Sequence, residues 1–220
     1  MSPRQPDPRV RLQLVEAAAR LLATEGRPAV TARRVAGAVG ASTQAVYTHF
    51  GGMDELLAEI WREGFRRFGD ALDEPAVTDD PVADWMVQGW GYRRFALHDR
   101  HLYRVMFGEG LVAFRLNDAR DREAASGTFL SLLGRIERCV EAGRWEVDDL
   151  YTAGEVVWST VHGHCTIELT GYFGHLDREP LRTYEEGLRR TALGFRDDPA
   201  LVAASLQKAR RRAARADAAA

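Results

Sequence analysis

At 220 residues and 45% apolar content, the chain has the material for a packed globular core. A chain of this size buries ~70% of its unfolded surface, which excludes wholesale disorder. Its 30 Lys plus Arg against 32 Asp plus Glu leave a formal charge of −2, which taken alone argues against a polyanionic partner.

Hydrophobic residues recur at helical spacing in almost every segment longer than ten residues, and no segment sustains strand alternation, so the predicted fold is all-α. A first helix is predicted from Arg9 to Glu25, with Val10, Leu14, Ala18, Leu21 and Leu22 on one stripe and Gly26 and Pro28 ending it. Thr31 is placed to cap a short helix, Ala32 to Val39, that turns Val35 and Val39 inward and stops at Gly40. Ser42 caps the next, Thr43 to Phe50, whose buried side is Val46 and Phe50 and whose outer face carries Gln44, Tyr47 and Thr48. A long connecting helix follows from Met53 to about Leu72, then a loop from Pro75 to Pro81. Further helices are predicted at Val82–His98, Arg100–Phe107, Asn117–Ala142, Asp149–Phe173 and Leu181–Phe195. The composition of the tail suits either a helix or a disordered end. Three regions result: 1–52, a three-helix head; 53–198, a larger helical body; and 199–220, the Ala/Arg-rich tail.

Charge follows the same partition. Residues 1–50 sum to +4, residues 51–200 to −10 and residues 201–220 to +4, so a basic head precedes an acidic body. That asymmetry is expected when one end meets a polyanion and the rest must not. Two short helices joined through Gly40-Ala41, the second with an exposed Gln, Tyr and Thr, form a helix-turn-helix, because a major groove ~12 Å wide admits one helix whose outward residues reach base edges.

The run Thr31-Ala-Arg-Arg-Val-Ala-Gly-Ala-Val-Gly-Ala-Ser-Thr-Gln-Ala-Val-Tyr-Thr-His-Phe50, followed by Gly51-Gly-Met-Asp-Glu-Leu-Leu57, resembles the DNA-binding domain of the TetR family of bacterial transcriptional regulators. The resemblance spans about Arg9 to Leu57, with Tyr47, His49 and Phe50 matching the family's hallmark ending. It implies that Thr31, Ser42, Tyr47 and His49 hold phosphates while Arg33, Thr43, Gln44 and Thr48 face the bases. One position departs: Met53 stands where the family usually carries a phosphate-contacting Lys at the start of the fourth helix.

In the body, Trp158-Ser-Thr-Val-His162-Gly163 and His98-Asp-Arg-His-Leu-Tyr-Arg-Val-Met-Phe-Gly108 together resemble the WHG-type C-terminal domain of one branch of that family, over roughly Trp85 to Phe195. The resemblance implies a ligand-sensing, dimerising domain. Aromatic residues are abundant there, including Trp90 and Phe114, and the candidate pocket residues are Trp85, Phe95, Tyr103, Met106, Phe107, Phe129, Trp158 and His162. Small residues Gly154, Thr160, Gly163 and Gly171 would let another helix approach, and Tyr184, Leu188 and Ala192 give a matching stripe, so these two helices are the predicted dimer interface.

His162 and His164 project some 200° apart on a helix and cannot grip one ion, and His164 with Glu168 finds no obvious third ligand, so no metal is expected; no cofactor is expected either. Cys139 and Cys165 form no disulfide framework or zinc spacing. The start, Met1 to Pro8, lacks an apolar run, and the charge-free stretch Val156–Ile167 is short of the ~20 residues a membrane span needs. A cytoplasmic protein with no membrane partner is expected.

The expectation is a homodimeric transcriptional regulator, a repressor on a palindromic double-stranded operator, released by a small-molecule effector of apolar or aromatic character. A helical carrier, or an enzyme using the aromatic cavity with His98, His101, His162 or His164 as base, is the alternative reading. It is disfavoured by the absence of a nucleophile elbow, phosphate loop or HExxH pair, and the chain is expected not to be an enzyme.

Overall fold

A computed structural model describes residues 7–73, 76–108, 119–176 and 178–219, and every regular element among them is helical. The elements are α1 (Pro8–Glu25), a single 3-10 turn (Arg27–Ala29), α2 (Ala32–Ala38), α3 (Thr43–Phe50), α4 (Met53–Asp73), α5 (Pro81–His98) and α6 (Arg100–Phe107). Then come α7 (Ala119–Glu141), α8 (Leu150–Leu169), the one-turn α9 (Tyr172–His175), α10 (Pro180–Gly194) and α11 (Pro199–Ala219). No helix among the described residues is long and apolar enough to cross a membrane. Phe114 and the predicted helix start at Asn117 lie outside the described residues.

The chain packs as two compact units. The first comprises residues 1–67 and 99–125, the second residues 68–98 and 126–220. The division therefore passes through α4 and α7 rather than at the change of charge near residue 52.

In the first unit, Asp7 caps α1 by accepting the Arg9 N–H at 2.9 Å, and Thr31 caps α2 by accepting that of Arg34 at 3.3 Å. Gly40 adopts φ 67°, a left-handed conformation that costs a residue without Cβ little, and the Ala41 N–H returns to the Ala36 carbonyl at 2.9 Å. That closure reverses the chain within three residues and sets α3 against α2. Leu14, Val15 and Ala18 of α1, Val35 of α2, Val46 of α3 and Leu56 of α4 are fully buried and form the small core. The middle of α4 instead meets α6: Phe65, 4.8 Å from Trp61 on the same helix, lies 5.9 Å from Phe107, and a Cβ on Gly64 would stand 2.6 Å from the Met106 sulfur. Helix α6 also packs along α1.

In the second unit α5 is the hub, with α8, α10 and α11 packed on it. Close approach of its neighbour explains Gly91, where a Cβ would meet the Ala71 carbonyl oxygen at 2.2 Å. Trp85 and Trp145 meet edge to face at 4.9 Å, and Trp145 packs at the same separation on Phe195.

Two expectations change here. The helix predicted to reach Phe173 stops at Leu169, because Gly171 takes a left-handed φ of 76° and α9 starts afresh. For the tail, open between a helix and a disordered end, the described residues take the helix: Val202, Ser205 and Ala209 of α11 are fully buried, and its cations reach back to acids of the body. Lys208 pairs with Asp80 at 2.8 Å, Arg212 with Asp84, and Arg210 with Glu185. Asp84, fully buried, also accepts from the Thr78 N–H and hydroxyl and from Arg138, which together hold its carboxyl below the ordinary range despite the burial.

Candidate nucleic-acid interface and effector region

Helix α3 separates its two faces cleanly. Val46 and Phe50 are buried, whereas Thr43, Gln44, Tyr47 and Thr48 are exposed, Tyr47 to 50%. Position 51 is again a left-handed glycine, φ 73°, so α3 ends just after this face is presented. Arg11 braces it from behind, its guanidinium 5.3 Å above the Phe50 ring while pairing with Glu59 at 2.8 Å.

The two arginines of α2 have different tasks. Arg34 forms a bidentate pair with Glu25 at 2.8 and 2.9 Å, which lowers the Glu25 carboxyl and fixes α2 to the end of α1. Arg33 is exposed and makes no ion pair among the described residues. Ser42 stands at the cap position of α3 without making a side-chain cap bond, and its exposed hydroxyl is likewise unspent. Thr31 is exposed although it caps α2. His49 is half-buried beside Phe50. Met53, the first residue of α4, is half-buried too.

The eight candidate pocket residues divide into groups. Tyr103, Met106 and Phe107 belong to the first unit, where Tyr103 lies 4.9 Å from Phe107. Trp85 is committed to the Trp145 core, and Phe95 packs 5.2 Å from Phe68. Phe129, Trp158 and His162 do form a chain, with ring separations of 6.3 and 5.7 Å. Tyr92 is missing from the predicted set, yet its hydroxyl shares a 2.9 Å hydrogen bond with His162 Nδ1. Its sequence signal is its position, seven residues after Trp85 and so on the same face of α5. Burial pushes the His162 pKa below the ordinary value and keeps the ring neutral, able to donate or accept. A Cβ on Gly154 would meet Phe129 at 3.0 Å, so the glycine lets that ring lie against α8.

A family model for the DNA-binding domain of bacterial tetR-family regulatory proteins matches residues 14–60, and a tetracyclin-repressor-like C-terminal domain model matches residues 85–191. The chain belongs to the TetR family. The second match lies within the range of the predicted WHG-type domain.

Solved structures carry the same fold at low identity. A Rhodococcus sp. RHA1 protein of unknown function superposes with a TM-score of 0.73 at 21% identity, covering 89% of this chain and 99% of its own. The TetR-family regulator PfmR of Thermus thermophilus gives 0.64 at 22%, covering 84% and 98%. The fatty acid degradation regulator FadR of Bacillus halodurans gives 0.68 at 16%, covering 89% and 100%. No curated protein matches in sequence.

Within this TetR-family chain the expected dimer face needs correction. Tyr184, Leu188 and Ala192 are at most 2% exposed inside the protomer. The Tyr184 hydroxyl donates to the Gly89 carbonyl, and a Cβ on Gly89 would lie 3.3 Å from Leu188. That stripe of α10 is spent on α5 and has nothing left to offer a second copy. On α8, Thr160 is exposed, Gly163 is half-buried with open space where a Cβ would be, and Gly171 lies beyond the helix end. Exposed Val156 and Ile167 complete a stripe with Thr160 and Gly163 at spacings of four, three and four.

Proposed function

We propose that this transcriptional regulator is a homodimeric repressor that occupies a near-palindromic operator and leaves it when a small molecule binds the second unit. The observation that carries the DNA-reading part is the split of α3, with its buried side filled by Val46 and Phe50 and its outer side made of Thr43, Gln44, Tyr47 and Thr48. Arg33, Thr43, Gln44 and Thr48 read base edges, while Thr31, Ser42, Tyr47 and His49 hold phosphates. Twofold symmetry sets the two reading helices about 34 to 36 Å apart, or a multiple of that, along the duplex.

The effector is of apolar or aromatic character. The chain of Phe129, Trp158 and His162 supports that reading, since it offers ring faces next to one neutral polar pair, His162 with Tyr92. An effector acts only through unequal affinity for the operator-fitting and non-fitting states, and driving the population from 1:99 to 99:1 takes about 5.5 kcal/mol of differential binding. Helix α4, continuous from one compact unit into the other, is the lever. Identical reading-helix separations in trapped free and liganded dimers would refute it.

The dimer forms through the Val156, Thr160, Gly163 and Ile167 stripe of α8. Gly163→Arg combined with Ile167→Glu is expected to give a folded monomer by light scattering, because Ile167 is exposed and a side chain at position 163 would start in open space within the protomer. A persistent dimer would place the interface elsewhere.

The reading as a whole is tested by selecting duplexes from a random library and measuring binding between ~50 and 200 mM salt, the range over which phosphate contacts respond. Sequence-selective binding that falls with salt is expected; binding indifferent to sequence would return the protein to the carrier or enzyme reading.

A further inference from the structure

Between the loop 76–80 that leads into α5 and one face of α11 lies a groove of about 360 Å³, toward the small end of ligand sites. Thr78, Asp79 and Asp80 form one wall. The other is a band of cations on α11, made of two pairs four residues apart, Lys208 with Arg212 and Arg211 with Arg215.

The four cations are not equivalent. Lys208 is taken by Asp80 at 2.8 Å, and Asp80 also accepts the Ser205 hydroxyl at 2.8 Å. Arg212 is taken by buried Asp84 and by the Ala76 carbonyl. These two pairs hold α11 in place and are neutral overall. Arg211 and Arg215 are exposed, one turn apart, line the groove, and have no acid partner among the described residues. Once the internal pairs are set aside, two guanidinium forks face a single carboxylate, Asp79.

We propose that this groove binds the phosphate group of a small phosphorylated molecule. Two planar forks one helical turn apart match a tetrahedral dianion with several oxygens, and the helix that carries them is already fixed, so only the two side chains remain to be ordered on binding. Asp79 sets the charge requirement: it leaves a surplus of one positive charge, which attracts a dianion about twice as strongly as a monocarboxylate. A groove of this volume admits a phosphomonoester of metabolite size and not a duplex. The site is separate from the aromatic chain at Trp158, and it stands whether or not that chain binds an effector.

The test titrates the full-length protein with glucose 6-phosphate and with inorganic phosphate by calorimetry at low ionic strength, with glucose as the uncharged control. Saturable binding of the phosphate compounds and none of glucose is expected. Arg211→Gln with Arg215→Gln should weaken binding at least about tenfold, the loss of one charge-assisted hydrogen bond or more. Asp79→Asn should tighten it severalfold. The thermal midpoint of the Arg211/Arg215 variant should match that of the parent, since neither side chain holds an internal partner, which separates lost binding from lost folding. No saturable heat, or affinity unchanged in the Arg211/Arg215 variant, overturns the site. A variant that binds non-specific duplex more weakly, while neither phosphate compound binds the parent, overturns it as well and assigns the two arginines to DNA.

Discussion

A chain ending at Asp198 is expected to lose its thermal midpoint by at least about 10 °C, or to fail to fold. Helix α11 contributes Val202 and Leu206 to the core of the second unit, fully or nearly buried, and each such side chain is worth about 1.5 to 3 kcal/mol. Its removal also strips buried Asp84 of Arg212, and Asp80 of both Ser205 and Lys208. A buried carboxylate that loses a charged partner costs about 1 to 3 kcal/mol even when others remain, as Arg138 and Thr78 do at Asp84. The sum is a large part of the about 5 to 15 kcal/mol that holds a typical domain together. For a chain of this size each kcal/mol moves the midpoint by about 2 to 4 °C. A single Arg212→Gln change should therefore cost only a few degrees, because Asp84 keeps its other three donors. Differential scanning calorimetry on both variants separates the two effects. A truncated chain that melts with the parent would show that α11 contributes nothing to the second unit.

The contrast between the two ends of the chain explains which parts were legible beforehand. Everything that forms α1 to α3 is local: Thr31 caps the helix it precedes, Gly40 closes the turn it sits in, and Val46 and Phe50 are four residues apart. Spacing and turn chemistry suffice for such a unit. Nothing local distinguishes Lys208 and Arg212 from solvated cations, since their partners Asp80 and Asp84 lie 128 residues earlier. The stripe Tyr184, Leu188 and Ala192 reads the same whether it faces a second copy or a neighbouring helix. Only its position over Gly89, on α5, decides the matter. For the same reason Trp85 passes for a pocket residue: its partner Trp145 is sixty positions away and carries no mark of the pairing. Periodicity reports which face is buried and not what buries it.

On a selected operator, Arg33→Ala and Tyr47→Ala should both reduce affinity strongly and in distinguishable ways. Arg33 is a fork with no acid partner among the described residues of the protomer, and a base-reading arginine supplies about 1 to 3 kcal/mol of discrimination per half-site. With two half-sites, the variant should bind the operator at least about thirtyfold more weakly and lose much less affinity for random duplex, so its specificity ratio collapses. Tyr47 is half exposed, and in the proposed reading its hydroxyl donates to a phosphate. Its loss should weaken operator and random duplex alike. Because no cation leaves, the slope of log affinity against log salt should stay at the parent value, counterion release being tied to charge. Met53→Lys supplies the opposite case. Adding a cation at the first residue of α4 should steepen that slope by about 0.9 for each half-site and raise affinity at low salt without changing the preferred sequence. Thermal midpoints should hold in the Arg33 and Tyr47 variants, since neither side chain is buried. If Arg33→Ala lowered operator and random affinity equally, the arginine would be a phosphate contact, and base readout would fall to Thr43, Gln44 and Thr48 alone.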